Sequence, residues 1–165
     1  MDTIDNVLDE ILKFSKRVLS VADGIAEDKI KAFEEKFGVI LPNDYKAFLK
    51  KTNGLSLMGT VVYGIYDEPK HVSLGSAFDI EHYKVENEMP AYLIPFSPDG
   101  GGNHYCFDSA TCEERSCKVI FWQYDRSYSE ENPPETVNDS FTAWAKEVLV
   151  EWTLEDYDYN GSKKA

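Results

Sequence analysis

Apolar residues recur at helical spacing through the first third of the chain. Ile4, Val7, Leu8, Ile11, Leu12, Val18 and Leu19 share one face. They predict an amphipathic helix over residues 3–20, capped by Asp2 or Thr3 and broken at Ala22-Asp23-Gly24. A second helix is expected from Ala26 to Phe37, with Ile30, Phe33 and Phe37 inward and Gly38 as its stop. Leu41 to Gly54, LPNDYKAFLKKTNG, reads as a third. Pro42 suits its first position, because the missing N–H would be unpaired there anyway. Asn43 and Asp44 lie near the positive end of the helix dipole, and Lys50 and Lys51 near the negative end. Tyr45, Phe48 and Leu49 fall at i, i+3 and i+4 on one face. Asn53-Gly54 offers a left-handed closing residue, with Leu55 placed to pack back on the helix.

The period then changes. Leu57–Tyr66 is β-branched and aromatic and reads as a strand, followed by a turn at Asp67-Glu68-Pro69-Lys70. Residues 73–86 are ambiguous, with Ala77, Ile80 and Tyr83 hinting at a helix. Ala91–Phe96 reads as a strand that Pro95 confines to an edge or a bulge. Ser97–Gly102 is a turn region, and Asn103–Asp108 alternates as a strand. Ser109–Ser116 is a polar loop. Cys117–Tyr124 is the strongest strand, carrying Val119, Ile120, Phe121 and Trp122 in one apolar run. After a loop at Asn132-Pro133-Pro134, Phe141, Trp144, Ala145, Val148, Leu149 and Trp152 outline a closing helix over about 140–154, capped by Asn138 or Asp139. Residues 156–165 read as a polar, frayed tail. Helices, then strands, then a helix predict an α+β fold with a mainly antiparallel sheet, as one domain over residues 1–155.

Charge narrows the function. Seventeen basic against 30 acidic residues give −13, and Gln123–Ala165 alone carries 4 basic and 10 acidic residues. Nucleic acid and anionic membranes are disfavoured, because both call for a basic face. A basic protein partner is favoured, with fast and salt-sensitive association. Solubility alone accounts for the charge equally well. Three cysteines leave an odd thiol under any pairing. No secretory signal is recognisable and no apolar run reaches ~18 residues, so free thiols in a reducing cytoplasm are the simplest expectation.

Three segments carry a family resemblance. LPNDYKAFLKKTNG resembles the hallmark of the SMI1/KNR4 (SUKH) proteins. IPFSPDGGGNHYCFDSATC followed by VIFWQYD resembles their central hairpin, whose second strand ends in Asp, here Asp108. VNDSFTAWAKEVL resembles their closing Ser-Phe helix. In order, these cover most of residues 25–150. The resemblance implies a bacterial immunity protein that binds and neutralises a polymorphic toxin, often a nuclease. It also leaves open a regulatory scaffold, as in fungal relatives. Partners in the family differ widely, so it assigns no partner residue by position.

His104, Cys106, Cys112 and Cys117 could in principle ligate zinc, but H-x-C-x5-C-x4-C lacks the paired C-x2-C clusters of structural sites. Small buried cysteines on neighbouring strands are the simpler reading. Gly100-Gly101-Gly102 has no Lys-Ser/Thr after it and leads into a strand, so a turn is expected rather than a phosphate loop. The carboxylates Asp99, Asp108, Glu113 and Glu114 have no neighbour that would shift them. His71, His82 and His104 belong to no catalytic motif. No catalytic, cofactor or metal residue is therefore expected, and a small hydrolase or metal-dependent enzyme is the least favoured reading. Protein binding remains. Acidic and aromatic residues interleave at Tyr66, Asp67 and Glu68, and again at Tyr124, Asp125, Tyr128, Glu130 and Glu131. Tyrosines give contact area at low entropic cost, and carboxylates meet Lys or Arg of a basic toxin domain. Solvated loops with incidental tyrosines are an equal alternative.

Overall fold

The computed structural model describes residues 2–113 and 116–165. Six α-helical segments and seven strands follow one another along these residues: α1 (Ile4–Ile11), β1 (Leu19–Val21), α2 (Glu27–Phe37), α3 (Asn43–Lys51), β2 (Leu55–Leu57), β3 (Thr60–Val62), α4 (Leu74–Asp79), β4 (Leu93–Pro98), β5 (His104–Asp108), β6 (Val119–Trp122), β7 (Glu135–Asn138), α5 (Phe141–Trp144) and α6 (Trp152–Asp156). Wider π-type turns extend α4 over Ile80–Lys84 and join α5 to α6 over Ala145–Glu151. The strands form two antiparallel sheets, β1-β2-β3 and β4-β5-β6-β7. The expected α+β class and closing helix are observed.

The helix over 3–20 is shorter than its periodicity suggests. It ends at Ile11, and Leu19–Val21 pairs with Leu55–Leu57 instead. Capping is local, since the Thr3 hydroxyl accepts from Asn6 N at 3.2 Å. The end is tertiary, since Ser15 N donates to Tyr159 O at 2.7 Å. That bond also corrects the frayed tail: Tyr157 bridges Lys163, and the Tyr159 ring lies 4.9 Å from Phe14. The helix over 26–37 is observed, with Gly38 left-handed (φ 66°) as its stop.

In α3, Pro42 stands one position before the helix rather than at its first residue, and Thr52 ends it in an extended conformation. Gly54 is left-handed (φ 80°), but it serves the following hairpin: a Cβ there would lie 2.7 Å from Val62 O and 2.9 Å from Gly64 N. The single strand expected over 57–66 is therefore a hairpin, β2 and β3, turning at Met58 (φ 50°) and Gly59 (φ 87°). Pro95 sits on an edge strand beside a register shift, as anticipated. Strand β7 was not foreseen. Its burial is slight and its sequence, Glu135–Asn138, carries little β signal.

The core is aromatic. Tyr45 and Phe48 of α3 meet Phe96, Phe107 and Phe141, and Trp144 joins the cluster through Phe96, with ring centroids 5.0 Å apart for Tyr45–Phe107, 5.3 Å for Phe48–Phe141 and 4.8 Å for Phe96–Trp144. The buried Tyr45 hydroxyl donates to Tyr63 O at 2.6 Å. Asp44, at the start of α3, accepts from Thr142 N and Thr142 Oγ1, each at 3.0 Å, and from Ser116 Oγ at 2.9 Å. One carboxylate thus serves the positive ends of two helices and ties both to the β5–β6 loop. The closing helix takes its cap from Ser140, whose Oγ accepts from Ala143 N at 3.0 Å, rather than from Asn138 or Asp139.

Candidate functional site

The segment between α3 and β4 organises the exposed surface. Asn53 is buried, and its side chain pairs with Ile65 as a strand would: Oδ1 accepts from Ile65 N at 2.8 Å and Nδ2 donates to Ile65 O at 2.9 Å. The Tyr66 hydroxyl donates to Asn53 O at 2.7 Å. Tyr66 is therefore a structural brace, and of the first interleaved trio only Asp67 and Glu68 stand free in solvent. The helix that follows is real, but its inner face is Leu74, Ala77, Phe78 and His82. Ile80 and Tyr83, whose spacing hints at the helix, are exposed, Tyr83 to 70%.

The second group, Tyr124, Asp125, Tyr128, Glu130 and Glu131, lies after β6. Tyr128 folds back: its ring packs 4.9 Å from Trp122 and its hydroxyl accepts from Gln123 N at 3.1 Å. Tyr124 is half exposed, and Gly102 leaves it room, since a Cβ there would lie 2.8 Å from the ring. Asp125, Glu130 and Glu131 are exposed. Among the described residues no hydrogen bond or ion pair joins this loop to Tyr66–Glu68. Instead Asn87 reaches it, donating through Nδ2 to Tyr124 O at 2.8 Å and to Arg126 O at 3.0 Å. The exposed Glu86 and Glu88 flank Asn87, so an acidic edge with Tyr124 is assembled from residues nearly forty positions apart. Sequence reasoning missed Glu86, Asn87 and Glu88, because nothing local marks an amide that binds carbonyls so far along the chain.

The triple-glycine turn is filled by its own carboxylate. Asp99 Oδ1 accepts from Gly101 N at 2.7 Å and Asn103 N at 3.0 Å, and Oδ2 accepts from Asn103 Nδ2 at 2.9 Å. Partial burial alone would raise this carboxyl, but those donors outweigh it and hold Asp99 below its usual range. The Gly101 and Asn103 amides of this turn are thus engaged by Asp99 rather than offered to a phosphate.

The four zinc candidates do not converge. Cys112 and Cys117 are paired as a disulfide, which corrects the expectation of three free thiols. Cys106 is buried and free, 3.8 Å from the Met89 sulfur, and burial raises its thiol well above the ordinary value. Among the described residues no group of three or more His, Cys, Asp or Glu could hold a metal. Glu114 lies outside the described residues. His71 is exposed, and His82 spans Phe78 O at 2.8 Å and Pro90 O at 3.1 Å, a structural tie.

His104 is buried, with Nε2 3.3 Å from the Tyr63 hydroxyl and Nδ1 4.0 Å from Glu81 Oε1. Nδ1 has no hydrogen-bond partner among the described residues. Burial pushes the ring down to about 4, against a weaker upward pull from Asp99. Burial likewise raises the Glu81 carboxyl. Between pH 4 and 6.5 the unfolded chain binds a proton at this histidine that the folded chain does not, so stability falls as the pH drops. Relative to His104→Asn, the protein is expected to lose about 3 kcal/mol between pH 7 and pH 4. Glu81 works the other way in both proteins and cancels in the comparison. Urea unfolding across that range reads the difference, and parallel profiles would remove His104 as an acid-sensitive site.

Comparison with known proteins places these features in context. Residues 24–147 match the model of the SMI1 / KNR4 family (SUKH-1). The SPbeta prophage-derived uncharacterized protein YokK of Bacillus subtilis (strain 168) is 25% identical over 64% of this chain, which spans 65% of that relative's length. A crystal structure of a protein from Pseudomonas syringae pv. tomato superposes with a TM-score of 0.65, covering 87% of this chain and 96% of the other at 19% identity, a likeness of fold. No helix among the described residues is long and apolar enough to cross a membrane.

Proposed function

This chain belongs to the SMI1 / KNR4 family (SUKH-1), and from that membership we propose that it is an immunity protein that binds and neutralises a cognate toxin with a basic surface. The observation that carries the reading is the acidic edge built where Asn87 clamps the loop after β6. Glu86, Glu88, Asp125, Glu130 and Glu131 are all exposed there or in the same loop, with Tyr124 among them and Arg126 as the opposing charge. The backbone beneath is held by the Asn87 bonds and by Tyr124 N donating to Asn103 Oδ1 at 3.2 Å, so the edge is presented with little ordering cost on binding. A nuclease cleft must be basic to hold phosphate, and such an edge is its electrostatic complement. The protein acts by occupying its partner rather than by chemistry.

Affinity capture with tagged protein, eluted by rising salt, is expected to release one dominant basic partner. Several unrelated or acidic partners would favour a regulatory scaffold instead. With the partner in hand, reversing Asp125, Glu130 and Glu131 to lysine is expected to slow association by about tenfold at low salt and to flatten its salt dependence. Stopped-flow kinetics across ionic strength reads both effects. An unchanged association rate would move the interface away from this loop.

A further inference from the structure

A groove of about 600 Å³ runs between α2 and the segment 65–84, and it is basic on an otherwise acidic protein. Lys29 and Lys36 line it from α2, Lys70 and Lys84 from the other wall. Among the described residues none of the four is in an ion pair; the same holds for Lys16, Lys31, Lys118, Lys163 and Lys164, so what sets the four apart is that they line one groove. Asp67 and Asp79 share the walls without pairing with them. The floor is apolar, with Phe33, Phe37 and Ile65, and Lys36 Nζ stands 5.4 Å from the centre of the Phe37 ring. Gly75 brings α4 close to that ring, since a Cβ there would lie 2.8 Å from Phe37 Cζ.

We propose that this groove is a docking site for an acidic peptide segment that carries an apolar anchor residue. Four lysines against two aspartates over an apolar floor leave a net positive groove, and a carboxylate-rich strand of a partner complements it. The charges are spread, not convergent. Lys29 and Lys36 are two helical turns apart, roughly 10 Å along the axis, and the other two stand on the opposing wall. The groove has neither an Arg fork nor the Walker-type spacing that grips a compact phosphate, so the fit is to an extended anion with several separated charges. A nucleic acid also has that spacing, but a duplex or long strand would extend beyond the groove and face repulsion from a chain whose net charge is −13. The apolar floor and the cation above Phe37 give an anchor side chain somewhere to bury. This site shares no residue with the acidic edge, although Lys84 lies two positions from Glu86, and it does not depend on the toxin reading.

The test uses a fluorescein-labelled decapeptide of glutamates around a central Leu-Phe pair, with a glutamine-for-glutamate counterpart, an oligothymidylate and ATP as controls, read by fluorescence anisotropy. The glutamate peptide is expected to bind, more weakly as salt rises, and the controls to bind at least tenfold less well. Two altered proteins divide the contributions. Reversing Lys29, Lys36, Lys70 and Lys84 to glutamate is expected to weaken binding by more than about tenfold. Ala32→Trp fills the groove without changing charge and is expected to weaken it severalfold. All four lysines and Ala32 are exposed, and a circular-dichroism melt checks that each variant folds. Reversing Asp125, Glu130 and Glu131 is expected to leave peptide binding unchanged. The proposal fails if the peptide does not bind, if ATP or oligothymidylate binds as well, or if Ala32→Trp is without effect while charge reversal abolishes binding, which would reduce it to unspecific attraction.

Discussion

Phe48→Ala is expected to destabilise the protein by about 3–5 kcal/mol and to leave partner binding by the folded fraction intact. Phe48 is 1% exposed and sits between Tyr45 and Phe141, its ring centroids 6.0 Å and 5.3 Å from theirs. Removing it takes out the transfer energy of the ring and opens a cavity in a cluster braced from three directions: α3, strands β4 and β5, and α5. Rigid neighbours cannot collapse into the gap, which puts the cost at the upper part of the range. For a domain whose whole stability is of order 5–15 kcal/mol, that is a large fraction. Urea unfolding gives the loss. Binding titrated at low temperature, corrected for the folded fraction, should give the wild-type affinity. A stable variant that has lost binding would show that the LPNDYKAFLKK helix belongs to the interface rather than to the core.

Asn53→Ala is expected to cost about 2–4 kcal/mol, by a different route. The alanine leaves Ile65 N–H and C=O without the partners that the amide supplies at 2.8 and 2.9 Å, and each polar group so orphaned costs about 1–3 kcal/mol when water cannot reach it. Asn53→Asp is no rescue: it keeps an acceptor for Ile65 N but turns a negative oxygen toward Ile65 O at a position 4% exposed. The effect is local as well as global. Ile65 and Tyr66 are held by this residue, through its side chain and its backbone carbonyl, and both line the lysine groove. Hydrogen exchange should therefore show the Ile65 amide losing protection well before the amides of β4–β6, and acidic-peptide binding should weaken with it. Uniform loss of protection would mean that Asn53 only adds to global stability.

The hallmark acquires a physical meaning from these residues. Asp44 ties α3 to the start of α5, Tyr45 and Phe48 fill the core, and Asn53 and Gly54 steer the chain through β2, β3 and the stretch after them. The segment is the joint at which helices and sheets meet, which is why its spacing carries the family likeness while the exposed loops carry no transferable partner residue.

Where local chemistry decides the conformation, the sequence alone was enough. The α2 helix with its glycine stop, the α3 helix with its buried face, the bulged edge strand at Pro95 and the β4–β5 hairpin all follow from periodicity, caps and turn residues within a few positions of one another. So do the α+β class and the family resemblance that rest on them. Only the tertiary structure decided the remainder. Helix α1 ends at Ile11 because Leu19–Val21 finds Leu55–Leu57, and the tail is folded because Tyr159 finds Ser15 and Phe14. Tyr66 and Tyr128 became braces because Asn53 O and Gln123 N were there to meet them. The acidic edge needs Asn87 beside Tyr124, and the lysine groove needs Lys29 opposite Lys84. Each of these choices but the Tyr128 brace pairs groups far apart along the chain. A local pattern holds no record of its partner across such a distance, because the energy that settles the matter appears only once the loop between them has closed.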